Sequence, residues 1–405
     1  MAVARRRLFI AALAAVCLGA TACTTTSGPG GSAGDTVGIT QNSIKIGTSM
    51  GLTGPTAAEA TAALHGAQAY FDYINDHGGV NGRTIDLTAL DDGFSAAQTV
   101  TNVRRLVQQD NVFSLFYLWG LNNTVAALPF VKQSGVPLIG PQAPTSAVTD
   151  PVIPNVFLME PTFNDEAAVC AKQLADSSSV HKLGILYEND PIGQDALKGA
   201  QDAEGHLSKP MAAKVAFTSG TPSFTGQIVS LRQQGVDGLI IFGTNPDIVN
   251  IAKGISLEGW HPALCGSSNV FDPTFLTISG KDLNGLNGSL GQYLPESTEP
   301  GIVTYRNRLK QYFPNEKATV FGVQAYGEAE VLVHALRSLG KNPTRAGLLN
   351  ALNSLTDYSS DTLFPVSFTK ADHDGVSQYR LVKVVNSQPQ FTSGFLSNDN
   401  LFGNG

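Results

Sequence analysis

The sequence predicts an α/β protein of two lobes, each built on a doubly wound parallel sheet. Two observations lead to this prediction. Short strand-like runs alternate with amphipathic helical runs from residue 44 onward, and the alternation restarts after Pro161. The 405 residues also exceed what one compact core accommodates and suit two domains.

The first series contains four predicted strands, at residues 44–47, 84–90, 112–117 and 136–139. Between the first two, apolar residues from Ala60 to Ile74 recur at spacings of three and four, which is typical of one helix face. Ser95 is a predicted cap for the next helix, and Asn122 or Asn123 for the one after it.

The second series contains predicted strands at residues 183–187, 213–217, 237–242 and 263–266. Two of its helices are expected to open with a cap followed by proline, at Asp190-Pro191 and Asn245-Pro246. After Leu294 the pattern changes to three helical runs, at 301–313, 319–339 and 343–354. Two strands, at 364–368 and 378–385, are then predicted around a turn at 372–375.

The first 23 residues are predicted to be an export signal. Arg5, Arg6 and Arg7 precede an apolar run at 8–19, which is too short to span a bilayer. Thr21-Ala22-Cys23 resembles the lipobox of bacterial lipoproteins, which implies that Cys23 is acylated; an unlipidated signal is the alternative. Residues 6–10 also resemble a twin-arginine signal core, so the export route stays open. Residues 24–42, rich in Thr, Ser and Gly, are predicted to be a flexible tether.

Charge and motifs restrict the function. The net charge is −7 without a basic stripe, which argues against a nucleic-acid partner. Residues 47–51 fit G-x-S-x-G, but a loop at 52–55 replaces the helix that a nucleophile elbow needs. We therefore expect no catalytic residues, no metal site and no cofactor. Cys170 and Cys265 can pair as a disulfide in an oxidising compartment, or stay as two separate buried thiols.

Polar loops at the carboxyl ends of the predicted strands are the candidate ligand site, because ligands of open α/β sheets bind at that edge. Several strings resemble the type I periplasmic binding proteins for branched-chain amino acids. They are Ile44–Gly47 with Leu52–Pro55, Tyr73–Arg83, Asp91-Asp92, Gly135–Ile139, Asp190–Gly193 and Asp361–Phe368. The resemblance runs from about residue 44 to about residue 385.

That resemblance implies two Rossmann-like lobes joined by three crossovers, near residues 160, 292 and 363. The N-terminal lobe would comprise 43–160 and 293–362, and the C-terminal lobe 161–292 and 363–395. The expected ligand-binding residues are Glu59, Gly120, Leu121, Gln142, Ala143, Thr145, Ile192, Thr244, Asn245 and Ser268.

The resemblance further implies a monomeric, extracytoplasmic binding protein, tethered to the cell membrane by its lipid, that passes a small polar solute to an ABC permease. It is not expected to be an enzyme. The alternatives are a ligand-sensing subunit of a membrane receptor and a secreted α/β hydrolase.

The family's acid for the ligand ammonium falls at Ser268, so leucine, isoleucine and valine are expected to bind weakly or not at all. Glu59 stands where the family has an aromatic residue. It either pairs with a cationic ligand or serves the helix dipole, and in the second case the ligand is a neutral or anionic polar solute.

Overall fold

The computed structural model describes residues 36–397 and residue 402. Its first sheet has five parallel strands in the order β2-β1-β3-β4-β5. Cys23 and the expected signal at 1–23 lie outside the described residues. The elements of this part are β1 (Ser43–Met50), α1 (Ala57–Asp76), β2 (Thr84–Asp91), α2 (Ala96–Gln108), β3 (Ser114–Phe116), α3 (Leu121–Ser134), β4 (Leu138–Ile139) and β5 (Val156–Phe157).

The second sheet has eight strands, seven of them in the order β12-β11-β10-β9-β8-β6-β7, with β13 paired to β11. Strands β6 to β10 are parallel, and β11 is antiparallel to β10. Its strands and helices are α4 (Phe163–Asp176), β6 (Leu183–Glu188), α5 (Pro191–Ala203), β7 (Met211–Phe217), α6 (Thr225–Gln233), β8 (Gly238–Phe242), α7 (Asn245–Leu257), β9 (Ala263–Gly266), α8 (Pro273–Ser279), β10 (Asn287–Leu290), β11 (Gln378–Val385), β12 (Gln388–Phe391) and β13 (Leu396–Ser397).

Three helices between β10 and β11 return the chain to the first sheet. They are α9 (Pro300–Tyr312), α10 (Val320–Ser338) and α11 (Arg345–Leu352). In α10, 16 of the 19 residues are buried, and the buried set includes the polar Gln324, Glu328 and Glu330. It packs on α1 at Gly66, where an added Cβ would lie 2.3 Å from the carbonyl oxygen of Gly322. The two glycines allow the helix backbones to touch.

Three chain segments cross between the sheets side by side. The Leu158 amide donates to the His373 carbonyl at 3.0 Å, and the Leu158 carbonyl accepts from Gly375 at 2.9 Å. The amide of Phe364 donates to the Gly291 carbonyl at 3.0 Å. The fold prediction of two Rossmann-like lobes with three crossovers is therefore confirmed.

Several local predictions differ from the structure. Residues 364–368 make one isolated bridge, between Val366 and Tyr358, instead of a strand, and the turn expected at 372–375 lies at 369–372. The caps of α3 and α7 are Gly120 and Thr244, not the asparagines, because α3 starts two or three residues earlier than expected and α7 one residue earlier. The Asp190-Pro191 opening is confirmed, with the Asp190 side chain accepting from the Gly193 amide.

The last residues of the expected tether are packed against the first sheet. The Gly38 carbonyl accepts from the Lys45 amide at 2.9 Å, and the Asn42 carbonyl accepts from the Thr84 amide at 2.8 Å. The ordered fold therefore begins before Ser43.

A disulfide joins Cys170 of α4 to Cys265 of β9, with the Cα atoms 5.5 Å apart. Both residues are fully buried. Of the two alternatives for these cysteines, the structure has the bridge. It ties a helix to the middle of the second sheet across a sequence separation of 95.

Candidate functional site

A cleft between the two sheets holds a cavity of about 330 Å³. The loops that line it follow the carboxyl ends of strands in both sheets, where open α/β sheets bind ligands. The first sheet contributes loops after β1, β2, β3 and β4, and the second contributes loops after β6, β7, β8 and β9. The volume is within the range of small-molecule sites.

Seven of the ten residues predicted to bind ligand line this cleft: Glu59, Gly120, Leu121, Gln142, Ile192, Thr244 and Asn245. The other three do not. Ala143 is fully buried, and the Thr145 side chain caps a short 3-10 helix by accepting from the Ala147 amide. Ser268 begins another 3-10 helix and lines a separate small cavity, and its amide donates to Glu166 Oε2 at 3.0 Å.

An aromatic contribution to the cleft was not predicted from the sequence. Four aromatic side chains line it: Phe94, Trp119, Phe163 and Phe321. Trp119 Nε1 donates to Thr56 Oγ1 at 3.0 Å, and its ring meets that of Phe321 edge-on at 5.2 Å. Trp119 directly precedes Gly120 and Leu121, which were expected to bind ligand. Phe321 lies in α10, and nothing in the sequence around it indicates a place in the cleft.

Phe94 has an unusual backbone conformation for a large side chain. Its φ is +60°, in the left-handed region that disfavours bulky residues. Asp92 holds it there, because Asp92 Oδ1 accepts from the Phe94 amide at 2.9 Å. The ring is 37% exposed and lies over Gly120, where an added Cβ would be 2.7 Å from Phe94 Cε2. The turn therefore presents an aromatic face to the cleft.

A buried polar network supports this side of the cleft. Asp92 Oδ2 accepts from Ser49 Oγ at 2.7 Å and from Thr99 Oγ1 at 2.8 Å, while Asn102 donates to Ser49. Ser49, the serine of the G-x-S-x-G string, is fully buried. Its hydroxyl thus fixes β1 against the turn that carries Phe94.

Asp247 organises the opposite side of the cleft. Its carboxylate accepts from Thr244 Oγ1 at 2.9 Å, from Ser219 Oγ at 3.2 Å and from the Gly220 amide at 3.1 Å. Glu188 Oε2 accepts from the Thr244 amide at 2.9 Å. The hydrogen bonds that Asp247 accepts from both loops therefore hold the loops after β7 and β8 together.

Direct contacts join the two sides around the cleft. Ser146 Oγ donates to Asp195 Oδ1 at 2.5 Å, and the Ser146 amide donates to Asp195 Oδ2 at 3.3 Å. Asn122 Nδ2 lies 3.4 Å from Asp190 Oδ2. Burial raises the pKa of both aspartates, while the hydrogen bonds that they accept oppose that rise.

Glu59 lies in the first turn of α1 and faces the cleft. Burial raises the pKa of its carboxyl, its own backbone N–H opposes the rise, and the charge of Asp272 adds to it. Within the described chain no side chain donates a hydrogen bond or pairs with it, and no Lys, Arg or His is among the cleft residues. The cleft is therefore acidic.

Buried acids also surround the crossovers behind the cleft. Burial raises the pKa of Glu160 and of Glu166 to about 8 each, and it raises the pKa of Glu328 as well. Glu166 Oε1 has no hydrogen-bond partner within the described residues. Gln324 Nε2 donates to Glu328 Oε1 at 3.2 Å. These acids favour their protonated forms.

A larger cavity, of about 490 Å³, lies away from the cleft between α8, β12 and the loop at 294–298. Neither Glu59 nor the aromatic residues of the cleft line it. Across residues 36–397 and 402, the structure has no cluster of three His, Cys, Asp or Glu able to hold a metal. In the same residues no helix is both long and apolar enough to cross a membrane.

Comparison with known proteins places the chain among binding proteins. Residues 43–389 match the family model described as periplasmic binding protein. A relative named Leu/Ile/Val-binding protein homolog 1, from Brucella suis, is 20% identical over 299 residues, which cover 74% of this chain and 79% of the relative.

Two solved structures are similar over most of their length. A substrate-binding periplasmic protein from Ralstonia solanacearum has a TM-score of 0.77 and 26% identity, covering 86% of this chain and 99% of that one. A fatty acid ABC transporter substrate-binding protein from Thermomonospora curvata has a TM-score of 0.82 and 21% identity, covering 91% and 95%.

Proposed function

The chain belongs to the periplasmic binding protein family, and from that premise we propose that it captures a small solute between its lobes and delivers it to an ABC importer. The observation that carries the proposal is the cleft, which receives loops from both sheets. A ligand that contacts both lobes binds the closed state better than the open one, so capture and closure are coupled. No step of this function requires bond making or breaking.

For the lobes we propose the limits 43–160 with 293–362, and 161–292 with 363–395. The strand order supports this division, since β1 to β5 form one sheet and β6 to β13 the other. The packing of α10 on α1 supports the return of 293–362 to the first lobe. We propose that the protein acts as a monomer.

Trp119 offers a direct test of solute capture. The chain has two tryptophans, and Trp260 is buried outside the cleft. In a Trp260→Phe variant, we expect the fluorescence of Trp119 to change saturably with solutes that also raise the thermal midpoint. Small-angle scattering should show compaction with the same solutes. Solutes that raise the thermal midpoint but change neither the Trp119 fluorescence nor the scattering curve would contradict capture in this cleft.

Export and anchoring form a separate proposal. We propose that residues 1–23 are a lipoprotein signal, that Cys23 carries the lipid, and that the chain acts outside the cytoplasm behind a tether. Mass spectrometry of the mature protein should find diacylglycerol on Cys23. A Cys23→Ala variant should lose the lipid and leave the membrane fraction, and a processed but unmodified N-terminus would contradict the proposal.

We further propose that leucine, isoleucine and valine are not the solutes, although a relative is named for them. The position of the family's ammonium-binding acid holds the neutral Ser268, whose amide donates to Glu166. Among the described cleft residues there is also no Lys, Arg or His to pair with the carboxylate of an amino acid. Calorimetry with the three amino acids should show no binding tighter than millimolar. Micromolar binding of leucine would contradict this exclusion.

A further inference from the structure

Two acids face the cleft, and they differ in how many hydrogen bonds they accept. Asp247 is buried and accepts hydrogen bonds from two hydroxyls and one amide. Its lone pairs are largely used within its own lobe. Glu59 has only its own backbone N–H as a hydrogen-bond partner among the described residues. Glu59 is therefore the carboxylate available to a ligand.

Among the residues that the structure describes, no positive side chain balances Glu59. The cleft residues contain neither lysine nor arginine nor histidine among the described residues, and Asp272 acts on Glu59 as a like charge. A partly desolvated carboxylate without a cation is unfavourable, so a ligand that brings a positive charge relieves this penalty. A ligand that brings a carboxylate near Glu59 increases the energetic penalty, because two like charges then lie close together.

Two helix N-termini at the cleft offer little to an anion. Helices α5 and α7 both begin with proline at the first or second position, which removes one N–H donor from each. In α5 the Gly193 amide already donates to Asp190, and that aspartate brings its own carboxylate. These two termini are thus poorly suited to bind a second anion.

Besides polar groups such as Gln142 and Asn245, the lining has a cluster of apolar and aromatic side chains. Trp119, Phe94 and Phe321 stand on the first-lobe side with Glu59, and Phe163 and Ile192 face them from the second sheet. The polar end of Trp119 is satisfied by Thr56. Aromatic faces attract cations and bury apolar carbon, so they suit an organic amine better than an inorganic cation.

We propose that the cleft selects an organic cation, a protonated amine whose ammonium pairs with Glu59 and whose apolar body packs on the aromatic side chains. This inference rests on the proposed capture of a solute in the cleft.

Matched compounds test the charge requirement. We would titrate the protein with 2-phenylethylamine, 2-phenylethanol and 3-phenylpropionate, and with 3-methylbutylamine, 3-methylbutanol and 4-methylpentanoate, following heat and Trp119 fluorescence. We expect the amines to bind most tightly within each set. A Glu59→Gln variant should weaken amine binding by about 10- to 100-fold, as expected for loss of a charged hydrogen bond.

Glu299→Gln is the matched control, because Glu299 is also an acid at the start of a first-sheet helix but is exposed and outside the cleft. It should leave amine binding unchanged. Tighter binding of the alcohols or carboxylates, or full amine affinity in Glu59→Gln, overturns the cation inference and leaves solute capture standing. If no compound changes the Trp119 fluorescence, the result counts against the cation inference and against solute capture in the cleft.

Discussion

The disulfide between Cys170 and Cys265 gives a stability prediction that can be calculated from the structure. Replacing both residues by alanine opens a loop with a sequence separation of 95. In the chain-entropy model, a bridge closing such a loop lowers the entropy of the unfolded chain enough to stabilise the fold by about 4.7 kcal/mol at 25 °C. Both sulfurs are buried, so the variant also loses some packing.

For a lobe of this size, that loss should lower the thermal midpoint by roughly 10–20 °C. The assay is calorimetric or circular-dichroism melting of the mature protein and the double variant, each with and without a reductant. The reductant should lower the midpoint of the parent protein by most of this amount and leave the variant unchanged. Equal midpoints for the oxidised parent and the variant would refute the entropic reasoning, and two free thiols in the denatured, unreduced parent would refute the bridge.

Three further predictions concern buried and strained positions. Burial raises the pKa of Glu166 from 4.5 to about 8, so the folded state holds this proton more tightly than the unfolded chain. Stability should therefore fall as pH rises through that window, by up to roughly 5 kcal/mol for this one group. Glu166→Gln should reduce the slope of the pH profile of unfolding by that share, while Glu160 still contributes its own; an unchanged slope would contradict this. Phe94→Gly should weaken amine binding while changing the unfolding free energy by less than about 1 kcal/mol, since it removes a left-handed φ along with the ring; equal losses of affinity and stability would argue against a ligand contact. Gly193→Ala should lower the free energy of unfolding by about 3 kcal/mol, because the added Cβ would lie 1.9 Å from the Glu188 carbonyl oxygen. Gly226→Ala is the control, since the space around Gly226 is open, and it should be neutral or slightly stabilising in denaturant melts.

The repeating order of strands and helices could be predicted because each element carries its own period and its own end signals. The strand at 263–266 and the three helices after residue 294 lie within two residues of their expected positions. The strand β10 at Asn287–Leu290 was missed, since its pattern Asn-Gly-Ser-Leu has no β-branched residue. Its place is fixed by its neighbours β9 and β11.

The cleft could be predicted in outline because parallel strands direct their carboxyl ends to one edge. Glu59, Gln142 and Asn245 were found by that rule and by the resemblance. Thr145 was placed correctly in its loop, but its hydroxyl turns back to the Ala147 amide, a choice that depends on local backbone angles. Phe321 joins the cleft only because α10 returns from a distant part of the chain.

The return of α9 to α11 also constrains how the protein is made. Once residues up to 292 have emerged from the ribosome, the first five strands are complete, yet the helix that covers α1 is still unsynthesised. The second sheet is also open at that stage, because β11 at Gln378–Val385 pairs with β10. Neither lobe can close its core until the last quarter of the polypeptide is available. A chain of this topology therefore reaches its native state mainly after release from the ribosome, later than one whose lobes are contiguous in sequence.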